Sequence, residues 1–187
     1  MVKNLSKKGP LFILPWRCTP ECNSNCLHCG FASTSEPLDS LGTEETKRIV
    51  DKIKAFGATY FGISGGEPLL RKDLPEIISY AKGTGMQVSL ITSGFGLDDK
   101  MMETLVKYGV RVSISIDGPE EINDALRGQG AYKTALSAIQ KTSKAGRLDC
   151  LVATLANVDS TRSNVNSDDM EHVIKLAKKY GARWVVI

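Results

Sequence analysis

Residues 43–64, TEETKRIVDKIKAFGATYFGIS, contain the pattern that decides the fold. Thr43 is a good helix N-cap, and the two glutamates after it place negative charge at the positive end of the helix dipole. An apolar stripe at helical spacing follows and consists of Ile49, Val50, Ile53 and Phe56. Gly57 ends the helix, and the run 58–64 then has the composition of a buried strand. The segment therefore predicts a helix joined to a strand by one glycine.

The same helix-then-strand unit recurs to the end of the chain, and nearly every helix is closed by a glycine. Further helices are predicted over 73–83, 98–109, 132–144 and 167–181. The strands between and after them are predicted over 86–92, 111–116, 150–155 and 182–187. With PLFILPW at 10–16 counted as the first strand, the pattern predicts six strands.

Strands that alternate with helices of this length pair in parallel through right-handed crossovers, so the fold class is α/β. An open doubly wound sheet and a closed or partial barrel both satisfy this pattern. A complete eight-stranded barrel needs about 250 residues. We therefore expect a partial, TIM-like barrel that ends at or near its sixth strand, or a piece of a longer chain.

The segments that follow the predicted strands are unusually polar or rich in glycine, as expected where parallel strands meet at a functional edge. In chain order these segments are RCTPECNSNCLHCG (17–30), SGGEP (64–68), TSGFG (92–96), DGP (117–119) and ANVDSTRSNVNS (156–167). The sequence therefore predicts one site, built from five loops at the carboxyl ends of the strands.

Composition excludes several classes of protein. The net charge of +3 is too small to indicate a nucleic acid or an anionic membrane as partner. No apolar run approaches the roughly 20 residues of a membrane span, and the apolar stretch near the N-terminus is too short for a signal peptide. We therefore expect a cytoplasmic protein. Four of the five cysteines fall between positions 18 and 29, which in a reducing compartment indicates metal ligation.

The spacing Cys22-x3-Cys26-x2-Cys29 places three thiols on one short loop. Thiolates are the natural ligands of iron–sulfur clusters, and three of them on four irons leave one iron open to a small molecule. A structural zinc site usually has two separated pairs of ligands, which this loop lacks. The alternative that stays open is a non-catalytic iron–sulfur or zinc-binding module for electron transfer or partner binding. Cys18 and Cys150 are expected to be packing thiols.

Two motifs resemble the radical S-adenosylmethionine superfamily: ECNSNCLHC at 21–29 resembles its cluster loop, and SGGEPL at 64–69 resembles its GGEP motif. SISIDGP at 113–119 and DALRG at 124–128 are similar to the branch of peptide-modifying and tetrapyrrole-modifying enzymes. Members of that branch often carry a C-terminal SPASM or twitch domain with auxiliary clusters.

The resemblance implies a partial (β/α)6 barrel over residues 11–187, preceded by an extension over 1–10 and incomplete at its C-terminal end. It also implies an enzyme of oxidoreductase or lyase type with a [4Fe-4S] cluster on Cys22, Cys26 and Cys29. The cluster would cleave S-adenosyl-L-methionine reductively, and the resulting 5′-deoxyadenosyl radical would abstract hydrogen from a peptide or tetrapyrrole. The implied partners are this substrate, whether peptide or small molecule, and a small electron donor such as ferredoxin or flavodoxin.

The resemblance further implies which residues bind the cofactor: His28, Gly65, Gly66, Glu67, Pro68, Ser93, Ser115, Asp117 and Arg127. His28 would lie along the adenine, and the two glycines would let the backbone approach an ammonium group. Ser115 and Asp117 would suit ribose hydroxyls or a carboxylate, and Arg127 would clamp the methionine carboxylate. A turn-forming role is the alternative for Asp117. The sequence names no catalytic acid or base.

Overall fold

The computed structural model describes residues 16–30, 40–154 and 167–187. Within these ranges the strands are β1 Trp16–Arg17, β2 Tyr60–Ser64, β3 Gln87–Thr92, β4 Arg111–Ser115, β5 Leu148–Val152 and β6 Trp184–Val186. The helices are α1 Thr43–Ala55, α2 Leu74–Gly83, α3 Asp99–Lys107, α4 Glu120–Arg127, α5 Ala131–Lys144 and α6 Ser167–Tyr180, and a short 3-10 helix spans Pro68–Leu70. None of these helices is long and apolar enough to cross a membrane.

All six strands are parallel, and their order across the sheet is their order in the sequence. A doubly wound sheet would reverse its order at a switch point, whereas every crossover here steps to the next strand in one direction. Right-handed crossovers of this kind place the helices on one side of the sheet. In the described part of the chain β1 and β6 form the two edges, so the sheet is not closed. The expected partial (β/α)6 barrel is confirmed.

The hydrophobic core lies between the sheet and the helices that cover it. Leu90 on β3 and Ile114 on β4 have no exposed surface, and neither do Leu74 on α2 and Leu105 on α3. Burial of an aliphatic side chain of this size contributes roughly 1.5–3 kcal/mol. This packing holds the strand ends, and with them the loops that follow, in one arrangement.

Two helix starts show how far local signals predict the boundaries. The predicted start of a helix at Asp98 is confirmed: Asp98 is the N-cap of α3, and its carboxylate accepts the backbone N–H of Met101 at 2.7 Å. The predicted N-cap Thr43 is wrong by one residue: Gly42 occupies the cap position, and α1 begins at Thr43. The Thr43 hydroxyl instead donates to Asp73 at 2.5 Å, because that carboxylate lies beside the helix end.

Two elements differ from the sequence-based expectation, and two expected segments lie almost wholly outside the described residues. The first strand expected at 10–16 lies outside the described residues except at Trp16. The strand expected at 150–155 is observed two residues earlier, as β5. Helix α4 was not predicted, because its eight residues are shorter than the window over which helical periodicity is counted. Of the loop 156–167 after β5, all but the last residue lies outside the described ranges.

Replacing Leu90 by alanine should lower the free energy of unfolding by about 2–5 kcal/mol, because it leaves a cavity in the centre of the sheet. Urea denaturation followed by circular dichroism measures this loss. The control is Val106→Ala on α3, whose side chain is half exposed; it should change stability by less than about 0.5 kcal/mol. Equal stability of the two variants would contradict the described core.

Candidate active site

The loop after β1, residues 18–30, is called the cluster loop here and is held against the end of β2 by backbone hydrogen bonds. The N–H of Cys18 donates to the carbonyl of Ser64 at 2.8 Å. Beyond the strand, the N–H of Gly66 donates to Thr19 and that of Glu67 donates to Glu21, both at 2.7 Å. The pairing of β1 with β2 is thus continued past the strand ends into the cysteine-containing loop.

Gly65 and Gly66 are required by this contact. A Cβ atom on Gly66 would lie 2.2 Å from the carbonyl oxygen of Glu21, and one on Gly65 would lie 2.8 Å from that of Thr19. Gly65 also has a φ of 152°, which side-chain-bearing residues rarely adopt. The sequence-based reason for these glycines was approach to a ligand. The structure shows that the backbone approaching them is that of the cluster loop itself.

Glu67 joins the end of β2 to the end of β3. Its side chain is 1% exposed, and its carboxylate accepts four hydrogen bonds. Thr92 donates its hydroxyl at 2.6 Å, Leu69 its N–H at 3.1 Å, and Ser93 both its N–H at 2.9 Å and its hydroxyl at 2.5 Å. Ser93, which the resemblance assigns to the cofactor, thus donates both its N–H and its hydroxyl to Glu67. Pro68 is buried at the start of the 3-10 helix.

A cavity of about 1060 Å³ opens at the carboxyl ends of the strands. Ten of the twelve predicted site residues line it: Cys22, Cys26, Cys29, His28, Gly65, Gly66, Glu67, Ser93, Ser115 and Arg127. The other two, Pro68 and Asp117, are buried. Three of the five loops predicted to meet at this edge, 17–30, 64–68 and 92–96, thus border one space, which has the size of a cofactor or small-molecule site.

The three cysteines of the motif have free thiols at this cavity. Cys22 is exposed, and Cys26 and Cys29 are partly buried. A turn in which the N–H of Cys29 donates to the carbonyl of Cys26 at 3.0 Å keeps the last two close together. Burial raises the pKa of Cys26, while the positive charge of Arg127 acts in the opposite direction. Binding to metal displaces the thiol proton and so overcomes such a shift.

In the described part of the chain, no three His, Cys, Asp or Glu side chains converge on a point that would hold a single metal ion. A [4Fe-4S] cluster does not require such convergence, because its three thiolate ligands bind three different irons. A loop with three accessible thiols beside a polar cavity therefore fits such a cluster, with room for a second ligand next to it.

His28 lies between Cys26 and Cys29 and borders the cavity. Its side chain is 14% exposed, and its Nε2 is 3.7 Å from Oδ2 of Asp117. Burial is the largest cause that lowers the pKa of His28, and the charge of Asp117 opposes it. Its Nδ1 is buried and has no hydrogen-bond partner in the described residues. The predicted contact with adenine stays a prediction.

Asp117 and Arg127 bind each other. The guanidinium donates from Nε at 2.5 Å and from Nη2 at 2.9 Å to the two oxygens of the carboxylate. Asp117 is 1% exposed and also accepts the N–H of Thr154 at 2.8 Å. Its own N–H donates to the side-chain oxygen of Asn123 at 3.0 Å. Ser115, two residues earlier, lines the cavity, so the two residues predicted to act together have different surroundings.

Several residues at this site were missed from the sequence. Thr92 was identifiable, because it precedes Ser93 in a polar segment after a strand. Asn123 and Thr154 carry no local signal, since their role depends on Asp117, which is distant in sequence. Arg17 and Gln129 also line the cavity.

The two cysteines outside the motif lie in the protein interior, as expected. Cys18 is 1% exposed and belongs to the hydrophobic core, where burial raises the pKa of its thiol to about 12. Burial also raises the pKa of Cys150 on β5. Both thiols therefore stay protonated near neutral pH.

The profile of the Radical SAM superfamily matches residues 16–175 of this chain. Because the match covers most of the sequence, the chain belongs to the radical SAM superfamily. The cofactors of this family are a [4Fe-4S] cluster and S-adenosylmethionine, as the cluster loop and the GGEP motif predict.

Two curated relatives lie in the branch indicated by the sequence motifs. The chain is 37% identical over 174 residues to the AdoMet-dependent heme synthase of Methanosarcina barkeri, covering 91% of this chain and 48% of that protein. It is 34% identical over 171 residues to the mycofactocin maturase MftC of Mycolicibacterium smegmatis, covering 90% and 42%. The chain thus spans less than half the length of these two relatives.

The fold is also that of a solved structure. Streptococcus suis SuiB bound to the precursor peptide SuiA superimposes with a TM-score of 0.76 and 15% sequence identity, covering 90% of this chain and 37% of SuiB. This likeness supports the partial-barrel architecture.

Gly66→Ala should destabilise the protein by roughly 1–3 kcal/mol, because the added methyl group meets the Glu21 backbone. The matched control is Gly83→Ala at the end of α2, where a Cβ meets nothing within 4 Å. That substitution should be neutral or stabilise by up to about 1 kcal/mol. Urea denaturation compares the two variants, and similar stabilities would contradict the close approach of the cluster loop.

Glu67→Gln keeps the size of the side chain but replaces one acceptor oxygen by a donor. Each carboxylate oxygen accepts two hydrogen bonds, so two donors lose their partner in either orientation of the amide. We expect a loss of roughly 1–3 kcal/mol in the free energy of unfolding. Glu103→Gln on the exposed face of α3 is the control. A Glu67→Gln variant as stable as this control would show that the four bonds are not made.

Proposed function

We propose that this chain is the catalytic core of a radical SAM enzyme that holds its cluster through Cys22, Cys26 and Cys29. The observation that supports this most strongly is the meeting of the three thiols and the GGEP loop at one cavity. The proposed domain is residues 11–187, with 1–10 as an extension, and the family match over 16–175 supports it.

When bound, the cluster would supply the electron for reductive cleavage of S-adenosylmethionine, which would in turn make hydrogen abstraction from the substrate possible. The protein residues position and shield these groups. The three thiolates hold the cluster at the cavity wall, and Glu67 keeps the GGEP loop beside it through its bonds to β3. The carbonyl groups of this loop are the proposed acceptors for the ammonium group of methionine, while Pro68 stiffens the loop.

The remaining cofactor-binding assignments go to residues that border the cavity. Ser115 is proposed to donate its hydroxyl to the ribose or the carboxylate, and His28 is proposed to lie along the adenine. Ser93 is proposed to contact the cofactor, although its hydroxyl also donates to Glu67. Asp117 and Arg127 were assigned to the cofactor from the sequence. Their mutual ion pair favours a role in positioning the protein backbone instead.

The proposed substrate is a peptide or a tetrapyrrole. A relative at 37% identity is a heme synthase, and a structure of the same fold was solved with a precursor peptide. We also propose that the reaction is of oxidoreductase or lyase type. The electron would come from a small donor such as ferredoxin or flavodoxin, in the cytoplasm, where the thiols stay reduced.

Anaerobic reconstitution of the 187-residue chain with iron and sulfide should give a brown protein with about four irons per chain. It should bleach with dithionite and convert S-adenosylmethionine to 5′-deoxyadenosine, which chromatography detects. Alanine at Cys22, Cys26 or Cys29 should abolish both the colour and this product. Cys150→Ala, which removes a buried thiol of β5, should retain both.

Two results would contradict the proposed function. Reconstituted protein that binds only zinc would favour the alternative of a non-catalytic binding module. A variant that lacks one of the three motif cysteines and still cleaves S-adenosylmethionine would refute the ligand assignment.

A further inference from the structure

The cluster loop has a second attachment, on the side away from β2. Between Cys26 and Cys29, the N–H of Leu27 donates to the carbonyl of Leu126 at 2.9 Å. Leu126 lies in the last turn of α4, where carbonyl groups have no partner within the helix. The side chain of Leu27 is 75% exposed, so its own packing contributes little to this attachment. The backbone of the loop at Leu27 is therefore tied to the position of the last turn of α4.

A buried ion pair lies at the end of α4, beside the buried side chain of Leu126. Arg127, the last residue of the helix, presents two nitrogen atoms to the two oxygens of Asp117. The Asp117 side chain has no exposed surface, and that of Arg127 is 13% exposed. A buried ion pair offsets its desolvation only with good geometry and further hydrogen bonds. Thr154 and Asn123 supply those bonds on the carboxylate and on the backbone of Asp117.

Asp117 also reaches the cluster loop directly. His28 lies within 3.7 Å of the same carboxylate oxygen that accepts the bond from Arg127 Nε. The carboxylate thus lies where the end of β4, the end of β5, the end of α4 and the cluster loop come together. The carboxylate of Asp117 and the guanidinium of Arg127 form hydrogen bonds with each other. The guanidinium therefore has only one edge left that could bind another partner.

We propose that Asp117 and Arg127 are positioning residues: their ion pair seats the last turn of α4 so that the Leu126 carbonyl holds the cluster loop between Cys26 and Cys29. This proposal rests on the proposed function for its purpose, since the positioned thiols are the cluster ligands. It replaces the sequence-based assignment of Arg127 as a clamp on the methionine carboxylate. Arginine is required at position 127 because its planar guanidinium binds both oxygens of the carboxylate. A lysine ammonium group binds only as a point charge.

The first test uses the metal-free chain, so it is independent of cofactor chemistry. Amide hydrogen exchange measured by NMR should show Leu27 protected in the parent protein. In Asp117→Asn and Arg127→Lys, exchange at Leu27 should be at least tenfold faster, while core amides such as Leu90 and Ile114 keep their rates. Asp149→Asn is the matched control, because it removes a carboxylate paired with Arg111 at 2.9 Å, on β5. This control should leave the Leu27 rate unchanged.

The second test uses the reconstituted protein. Both variants should bind less iron per chain than the parent, and the electron paramagnetic resonance spectrum of their reduced cluster should differ in g values or line width. Lysine at position 127 should fail to restore the parent spectrum. A purely structural role elsewhere in the fold would not change this spectrum.

The outcomes separate the alternatives. An unchanged amide exchange rate at Leu27 in both variants, together with weaker binding of S-adenosylmethionine, would overturn the proposal. It would favour the earlier assignment of Arg127 as the residue that binds the methionine carboxylate. Uniformly faster exchange at all core amides would also overturn it, because the pair would then stabilise only the fold. A parent chain that binds no cluster would refute the proposed function, and the exchange test on the metal-free chain would still decide the role of the ion pair.

Discussion

The site depends on one constraint: the cluster loop must lie within hydrogen-bonding distance of the backbone that follows β2. Two bonds of 2.7 Å, from Gly66 to Thr19 and from Glu67 to Glu21, require the strand end and the loop to approach without a side chain between them. The atoms that a Cβ on Gly66 would meet belong to the loop backbone. Any other residue there would separate the loop from the sheet, and the thiols would lose the surface that positions them.

Two buried carboxylates hold the walls of the cavity on either side of this contact. Glu67 links the end of β2 to the end of β3, and Asp117 links the end of β4 to α4 and to Thr154. Neither acid is exposed beyond 1%, and both direct their oxygens to groups of the protein. Hydrogen bonds to a charged group are stronger than hydrogen bonds between neutral groups. They therefore stabilise loops that bury little apolar surface.

Much of this architecture follows from the sequence, since glycine-terminated helices and β-branched runs are local signals. The cysteine spacing and the GGEP segment likewise identify the edge of the sheet where the cavity lies. The partners of side chains are not predictable in this way. Arg127 is the last residue of a helix of only eight residues, and the packing of β4, β5 and α4 brings Asp117 next to it. The sequence identified the glycines but not their contact with the cluster loop, because a sequence does not show which group occupies the space a missing side chain leaves.

The end of the backbone pairing also decides which cysteines reach the cavity. Cys18 still bonds to Ser64 as if the strand continued, and its thiol is buried in the core with a pKa of about 12. The last of these bonds is made by the carbonyl of Glu21, and the next residue is Cys22, whose thiol is exposed. The chain therefore leaves the sheet at the first residue of the motif. Cys18 and Cys22 are only four residues apart, yet one is buried in the core and the other is exposed. Proximity in sequence therefore does not predict exposure, whereas the length of the backbone pairing explains it.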